Sequence, residues 1–237
     1  MASPLKRNPT TGELFLQLRN HPHIVLTPPR LEDAPFIPPL LNDPRVYVWL
    51  KGPPYPYQLS DAEAWLAGVK QTADAVIREL EGADPNAEPI IVDACPVRTI
   101  RQINADGTDV FLGDICIDRW GFPIILDENA RPKDQLVKDN YERKAGDPNI
   151  IWTIGDYLAP SHHGQGIMSD ALSTLLNDWG IPRMRVGHII ATTHKGNVGS
   201  VRVFEKNGFR MVGTVDDYEE VRGQLQSFHV VERRPSA

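Results

Sequence analysis

The chain has 237 residues, 41% hydrophobic and 24% charged, ordinary proportions for a globular protein with a substantial core. Its net charge of −6 argues against a nucleic-acid-binding surface, which gathers Lys and Arg on one face, and mildly favours cationic ligands such as amines. No run of about 18 apolar residues is present to span a membrane. With only Cys95 and Cys116 and no apolar stretch behind the basic N-terminus, the expectation is a cytoplasmic protein without a disulfide framework.

Taken in chain order, residues 1–22 are polar and dotted with proline, and read as an N-terminal arm ordered in part at best. Ile24–Thr27 is a short β-favouring run that stops at Pro28-Pro29. Leu31 to Leu41 reads as a short helix interrupted by prolines, and Pro53–Tyr57 as a stiff connector. Ser60 and Glu63 have the spacing of a capping box. The 3.6-residue recurrence of Ala62, Trp65, Leu66, Val69, Ala73, Val76, Ile77 and Leu80 behind it predicts a long helix ending at Gly82. Two β-like runs, Val97–Ile103 and Val110–Arg119, flank the turn signal Asp106-Gly107 and predict an antiparallel hairpin.

Residues 120–149 show no sustained period and read as a long insertion. Ile150–Leu158 is the next predicted strand. A helix follows with Ile167, Met168, Ala171, Leu172, Leu175, Leu176 and Trp179 along one face. A strand at Val186–Thr193, a helix capped by Asn197 and ending at Asn207-Gly208, and strands near Phe209–Val215 and Gln226–Val231 complete the order. One domain, residues 23–237, accommodates all of it.

Between the Ile150–Leu158 strand and the next helix lies Ser161-His162-His163-Gly164-Gln165-Gly166. Glycines there let the backbone approach a ligand, and the helix head adds unpaired N–H groups and a positive dipole end. That combination suits a phosphate or diphosphate. A P-loop is excluded because no Lys-Ser or Lys-Thr follows the glycines. The dinucleotide fingerprint fails as well: Ser169 stands where its third glycine belongs, and the loop comes late in the chain. The adjacent His162-His163 pair has no carboxylate or Cys at ligand spacing, so no metal site is read.

Several segments in the same order resemble the GNAT superfamily (Gcn5-related N-acetyltransferases), and in particular its RimJ/RimL-like branch. The family's cofactor loop follows Arg/Gln-x-x-Gly-x-Gly/Ala; here both small residues, Gly164 and Gly166, are present and Ser161 replaces the leading residue. The segment Asn197 to Phe209 is similar to the family's Asn-x-x-Ser-x-x-x-(Leu/Phe/Tyr)-Glu-Lys-x-Gly-Phe pattern. Leu31–Ala34 and Pro56–Trp65 add further likeness.

The resemblance implies an α/β (α+β) fold, with a mixed, mostly antiparallel sheet of about seven strands flanked by about four helices and splayed at the acetyl-CoA site. It implies acetyl-CoA as cosubstrate and a primary amine as acceptor, either a protein N-terminus or a small molecule, attacking directly in a ternary complex. It further places the diphosphate on His163, Gly164, Gln165, Gly166, Ile167, Met168 and Ser169, and the pantetheine on the free edge at Tyr157, Leu158 and Ala159. A main-chain N–H near Leu158 would act as oxyanion donor. Asn197, Ser200 and Phe204 would also contact the cofactor, Asn197 and Ser200 serving at the thioester end, with Ser200 as the acid because the usual tyrosine position holds Phe204.

No base declares itself; Asp156 is the candidate kept, beside Asp114 and Asp118. Asn197 and Ser200 also fit as plain helix caps. Trp65 and Trp179 read as core residues. Two other readings stay open, a CoA-binding sensor or scaffold without catalysis and an NAD-binding protein. No nucleic-acid, membrane or metal partner is expected, and the protein is expected to be a monomer or homodimer.

Overall fold

The computed structural model describes residues 4–84, 87–121 and 133–235. They build one sheet of nine strands in the order β1-β2-β3-β4-β5-β6-β7-β9-β8. The strands are β1 (Lys6–Arg7), β2 (Leu14–Gln17), β3 (Ile24–Thr27), β4 (Thr99–Ile103), β5 (Asp109–Arg119), β6 (Ile151–Leu158), β7 (His188–His194), β8 (Arg210–Val221) and β9 (Gln224–Arg233). Neighbours run antiparallel except β6 and β7. The two strands beyond the expected seven come from the arm. Leu16 and Leu18 are buried against the main core, and that alternation at an edge suffices to order a segment whose polar neighbours disguise it.

Among the described residues the helical elements are α1 (Ile37–Leu41), α2 (Pro44–Tyr47), α3 (Leu59–Glu81), α4 (Lys133–Glu142), α5 (Ile167–Thr174), α6 (Ile181–Met184) and α7 (Val198–Lys206). A 3-10 turn, Leu31–Phe36, precedes α1. The predicted helix through Trp179 is not continuous: α5 passes into a wide π-type turn, Leu175–Gly180, before α6. The capping box of α3 sits two residues earlier than its sequence signature, since Asp61 accepts from the Gln58 N–H at 2.8 Å. Asp at that spacing from Gln58 does what Glu63 was expected to do for Ser60. The span 120–149, expected as an insertion without a sustained period, contains α4. Asn140 there donates to the Ile151 carbonyl and accepts from the Ile151 N–H, both at 2.8 Å, so α4 is stitched to the first residue of β6. Residues 122–132 of the expected insertion lie outside the described residues.

Strand alternation gives the sheet two distinct faces. One carries Ile115, Ile117, Trp152, Ile154, Ile189 and Ala191 and packs in the main core with Ile167, Ala171 and Leu172 of α5. Trp152 and Trp179, each fully buried there, contribute about 2–3 kcal/mol apiece by area removed from water. The other face carries Phe111 and Tyr157, which pack with Ile37, Leu41 and Leu66 of α1 and α3. On this face Arg101 is buried against Asp33 and donates its Nε to the Thr27 hydroxyl at 2.8 Å, pinning the 3-10 turn to β4.

Between β4 and β5 the register slips by one residue after Ile100, leaving Leu112 as the extra residue of a bulge. Gly113 follows at φ +155°, and a Cβ there would stand 2.1 Å from the Tyr157 carbonyl oxygen. Only glycine lets β5 approach the end of β6 so closely.

Candidate cofactor and acceptor site

The strands β6 and β7 touch through only two residue pairs, Ile151–His188 and Trp152–Ile189, and then part. On its other edge β6 remains paired with β5 as far as Leu158. The Ala159 N–H donates to Leu112 on the β5 side at 2.7 Å. Alternation therefore turns the backbone groups of Ile154, Asp156 and Leu158 toward the opening. A cleft of about 1300 Å³ passes through this splay, with α3 at one end and the heads of α5 and α7 at the other.

The loop after β6 turns through Pro160–His162 and enters α5 with both glycines left-handed, Gly164 at φ +73° and Gly166 at φ +81°. Nothing crowds a Cβ at Gly164, so the backbone angle, not space, selects glycine. Among the described residues the N–H groups from Gly164 to Ser169 donate to no protein acceptor; the first bond of the helix runs from the Asp170 N–H to Gly166. His163 differs from expectation. Its N–H is taken by the Pro160 carbonyl at 3.3 Å, and its Nε2 donates to the Leu158 carbonyl at 2.8 Å. It fastens the loop to β6, and the free amides start one residue later.

Ser161, at the place of the family's Arg or Gln, bonds His162 Nδ1 at 2.9 Å, and His162 Nε2 reaches Gln102 Oε1 at 3.0 Å. Since Gln102 offers an oxygen, Nε2 carries the proton and Nδ1 accepts from Ser161. Burial lowers the His162 pKa from its ordinary 6.5, with His23 adding to the effect.

Asn197 and Ser200 meet as cap and first turn of α7: the Ser200 N–H donates to Asn197 Oδ1 at 3.1 Å. The Ser200 hydroxyl has no hydrogen-bond partner among the described residues, and both residues line the cleft. Phe204, one turn on, is buried against Phe209 with ring centroids 4.9 Å apart.

Asp156 lies on the splayed strand, and burial, with Asp114 adding, lifts its carboxyl from 3.8 to about 6. Asp114 is closed off: Arg98 grips both its oxygens at 2.9 Å while stacking over Trp65 at 5.3 Å. Asp118 lines the cleft and accepts from the Cys116 thiol at 3.0 Å. Burial pushes that thiol well above its ordinary 9.0. Trp179 is a core residue and Trp65 is half-buried. Among the described residues no three His, Cys, Asp or Glu side chains cluster as metal ligands, and no helix is long and apolar enough to cross a membrane.

Sequence reasoning missed the brace beneath the loop. Asp170, buried in the first turn of α5, accepts from the Asn20 N–H at 2.8 Å, from Asn20 Nδ2 at 2.9 Å and from His21 Nδ1 at 2.8 Å. His21 Nε2 meets the Gln165 carbonyl at 3.1 Å. An Asp one residue after Ser169 in an apolar stripe was the available signal.

Comparison with known proteins agrees with this geometry. The family model described as "Acetyltransferase (GNAT) domain" matches residues 124–210. The probable N-acetyltransferase YjcK of Bacillus subtilis (strain 168) is 32% identical over 78 residues, 33% of this chain and 42% of YjcK; the match spans less than half of that relative. Mycobacterium smegmatis RimJ, solved with CoA-disulfide, superposes with a TM-score of 0.59 at 18% identity, covering 94% of this chain and 86% of RimJ. An apo structure of RimL, a ribosomal L7/L12 alpha-N-protein acetyltransferase, gives 0.60 at 15% identity over 98% and 99% of the two chains. At such identities the structures speak for the fold. The glycine loop heading α5 and the β6–β7 splay beside it both fall within residues 124–210, the part of the chain that matches the GNAT acetyltransferase domain.

Proposed function

We propose that the protein transfers an acetyl group from acetyl-CoA to a primary amine. The observation that carries this reading is the run of unpartnered N–H groups from Gly164 to Ser169, at the head of a helix and beside the open edge of β6. Those amides, with the Ser169 hydroxyl, suit the diphosphate. The backbone groups of Ile154 and Asp156, on the edge of β6 that faces away from β5, suit the pantetheine amides beside Tyr157, Leu158 and Ala159, and the Leu158 N–H, whose own carbonyl is held by His163, is the oxyanion donor. Arg202 and Lys206, which line the same cleft on α7, supply positive charge for the remaining phosphate.

Three services follow for the chain's own residues. The splay holds the thioester against the β6 edge. Ser200, with a hydroxyl not committed elsewhere, delivers a proton to the departing thiolate, while Asn197 fixes the turn that presents it. Asp156, titrating near neutrality, receives a proton released as nitrogen attacks carbon. The acceptor is a protein N-terminus, as the named activity of RimL suggests, or a small amine. The reading includes one acetyltransferase domain over residues 23–237, a cytoplasmic location, and a monomer or homodimer.

A CoA-binding module without chemistry is the second reading, favoured by Phe204 at the position of the family's tyrosine acid. Calorimetry with CoA and acetyl-CoA, followed by thiol release against spermidine and peptides with free N-termini, separates the two. Binding with turnover supports the enzyme. Binding without turnover supports the module. No heat for either ligand removes both.

A further inference from the structure

The two faces of the sheet divide the cleft. Asp156 shares a face with Trp152 and Ile154, toward α5 and the cofactor loop, whereas Tyr157 and His194 stand on the opposite face, toward α1 and α3. Trp49 and Lys51 line the cleft beside this second face, next to His194 and Phe228. Two buried polar atoms lie there without a hydrogen-bond partner, the Tyr157 hydroxyl and His194 Nε2, and both residues line the cleft.

His194 is 5% exposed at the end of β7. Its ring lies between Phe228, at 4.6 Å, and Trp49, at 6.4 Å. Its Nδ1 faces Gln226 Oε1 at 3.4 Å. Against a carbonyl oxygen Nδ1 must hold the proton, which leaves the lone pair on Nε2. A buried lone pair with no partner is costly unless a ligand's donor supplies one.

Resting on the acetyl-transfer reading, we infer that His194 is the catalytic base that takes the first proton from the acceptor's ammonium group, on the face opposite the cofactor. The ammonium gives one proton to Nε2, forming imidazolium. The freed nitrogen lone pair attacks the thioester carbonyl carbon, and the C–S bond breaks with its electrons on sulfur. A second proton leaves nitrogen as the amide forms, the thiolate takes one up, and the imidazolium returns its proton to water. The sum is ammonium plus acetyl-CoA giving amide, CoA thiol and one released proton. Burial holds the His194 pKa below its ordinary 6.5, so the ring is neutral when an acceptor arrives at pH 7. The charged groups acting on it are Arg222 and Lys51, both cations that favour the neutral ring, and Lys51 is itself paired with Glu219.

The test compares full-length wild type with His194→Gln and His194→Asn, using acetyl-CoA with spermidine and with a pentapeptide bearing a free N-terminal alanine. Thiol release across pH should show kcat/KM for the amine falling about 100-fold or more in both variants, the range for loss of a positioned acid–base group. The acidic limb of the profile should vanish while CoA affinity by calorimetry stays at the wild-type value. His194→Ala should regain rate on adding imidazole. A wild-type rate with an intact acidic limb in His194→Gln overturns the inference but spares acetyl transfer. A weakened KM with that limb intact also overturns it, since a purely structural histidine behaves so. No thiol release from wild type with either amine overturns acetyl transfer itself, and this inference with it.

Discussion

Ser200 separates its two roles by atom. Its N–H caps α7 through Asn197 Oδ1, and alanine keeps that N–H, so Ser200→Ala should leave the fold and the KM for acetyl-CoA nearly unchanged. If the hydroxyl is the acid, kcat should drop by about 100-fold. A variant with normal kcat would reduce Ser200 to a cap. Asn197→Ala removes the cap itself and should cost about 1 kcal/mol of stability. Asp156 makes a different prediction. Its folded pKa of about 6 lies above the ordinary 3.8, so the folded state resists ionising it. That penalty is absent well below pH 4 and complete above about pH 6. Asp156→Asn should therefore stabilise the protein at pH 8 by about 1–3 kcal/mol, a two-unit shift discounted for partial exposure. It should do nothing at low pH while activity falls. Thermal melts at the two pH values check this, and equal shifts at both would refute the linkage. The glycines, Asn197 and Ser200 were legible in the sequence because their chemistry is local. His194 was not, because a histidine ending a strand declares nothing until Gln226, Phe228 and Trp49 close around it.

At the scale of elements, the cleft exists because β6 leaves β7 after two pairs while holding β5 to its end. Gly113 controls that end. Gly113→Ala would drive a methyl group against backbone, 2.1 Å from the Tyr157 carbonyl oxygen and 3.0 Å from Leu158 Cα, with no flexible side chain to yield. Overpacking of this kind costs about 1–3 kcal/mol or more. It should also displace the Leu158 N–H, so kcat should fall further than CoA affinity. An unchanged melting temperature would show that β5 and β6 can part there at little cost. Periodicity predicted α3, the β4–β5 hairpin and α7 well. The errors fell where two local signals compete. Asp61 serves Gln58 where Ser60-Glu63 advertised a box, the wide turn at Leu175–Gly180 breaks a stripe that reads as one helix, and α4 hides in a polar stretch of weak period.

The N-terminal segment of the chain is brought back onto the glycine loop, and no window of sequence reveals it. Asp170 sits 150 residues from Asn20, and its buried carboxylate depends on three donors from the segment first read as a loose arm. The same segment reaches over the loop, where His21 Nε2 meets the Gln165 carbonyl. The Gly166 N–H belongs to the same planar trans peptide unit and points opposite to that carbonyl, so the contact fixes its direction. His21→Ala removes the bond to the charged Asp170, worth about 1.5–3 kcal/mol, together with the contact to the Gln165 carbonyl. Asn20 keeps Asp170 from being wholly stranded, so the protein should still fold. The loss should then appear as a CoA dissociation constant raised about tenfold with kcat at saturation little changed, a loop less well ordered before binding. His21→Gln, which retains one bond, should fall between. Truncation before Pro22 should exceed both, because it strips Asp170 of every donor and removes β1 and β2 from the edge of the sheet. If calorimetry gave His21→Ala the wild-type affinity, the loop would hold its shape through Gly164, Gly166 and His163 alone, and the arm would serve only to cover Leu16 and Leu18.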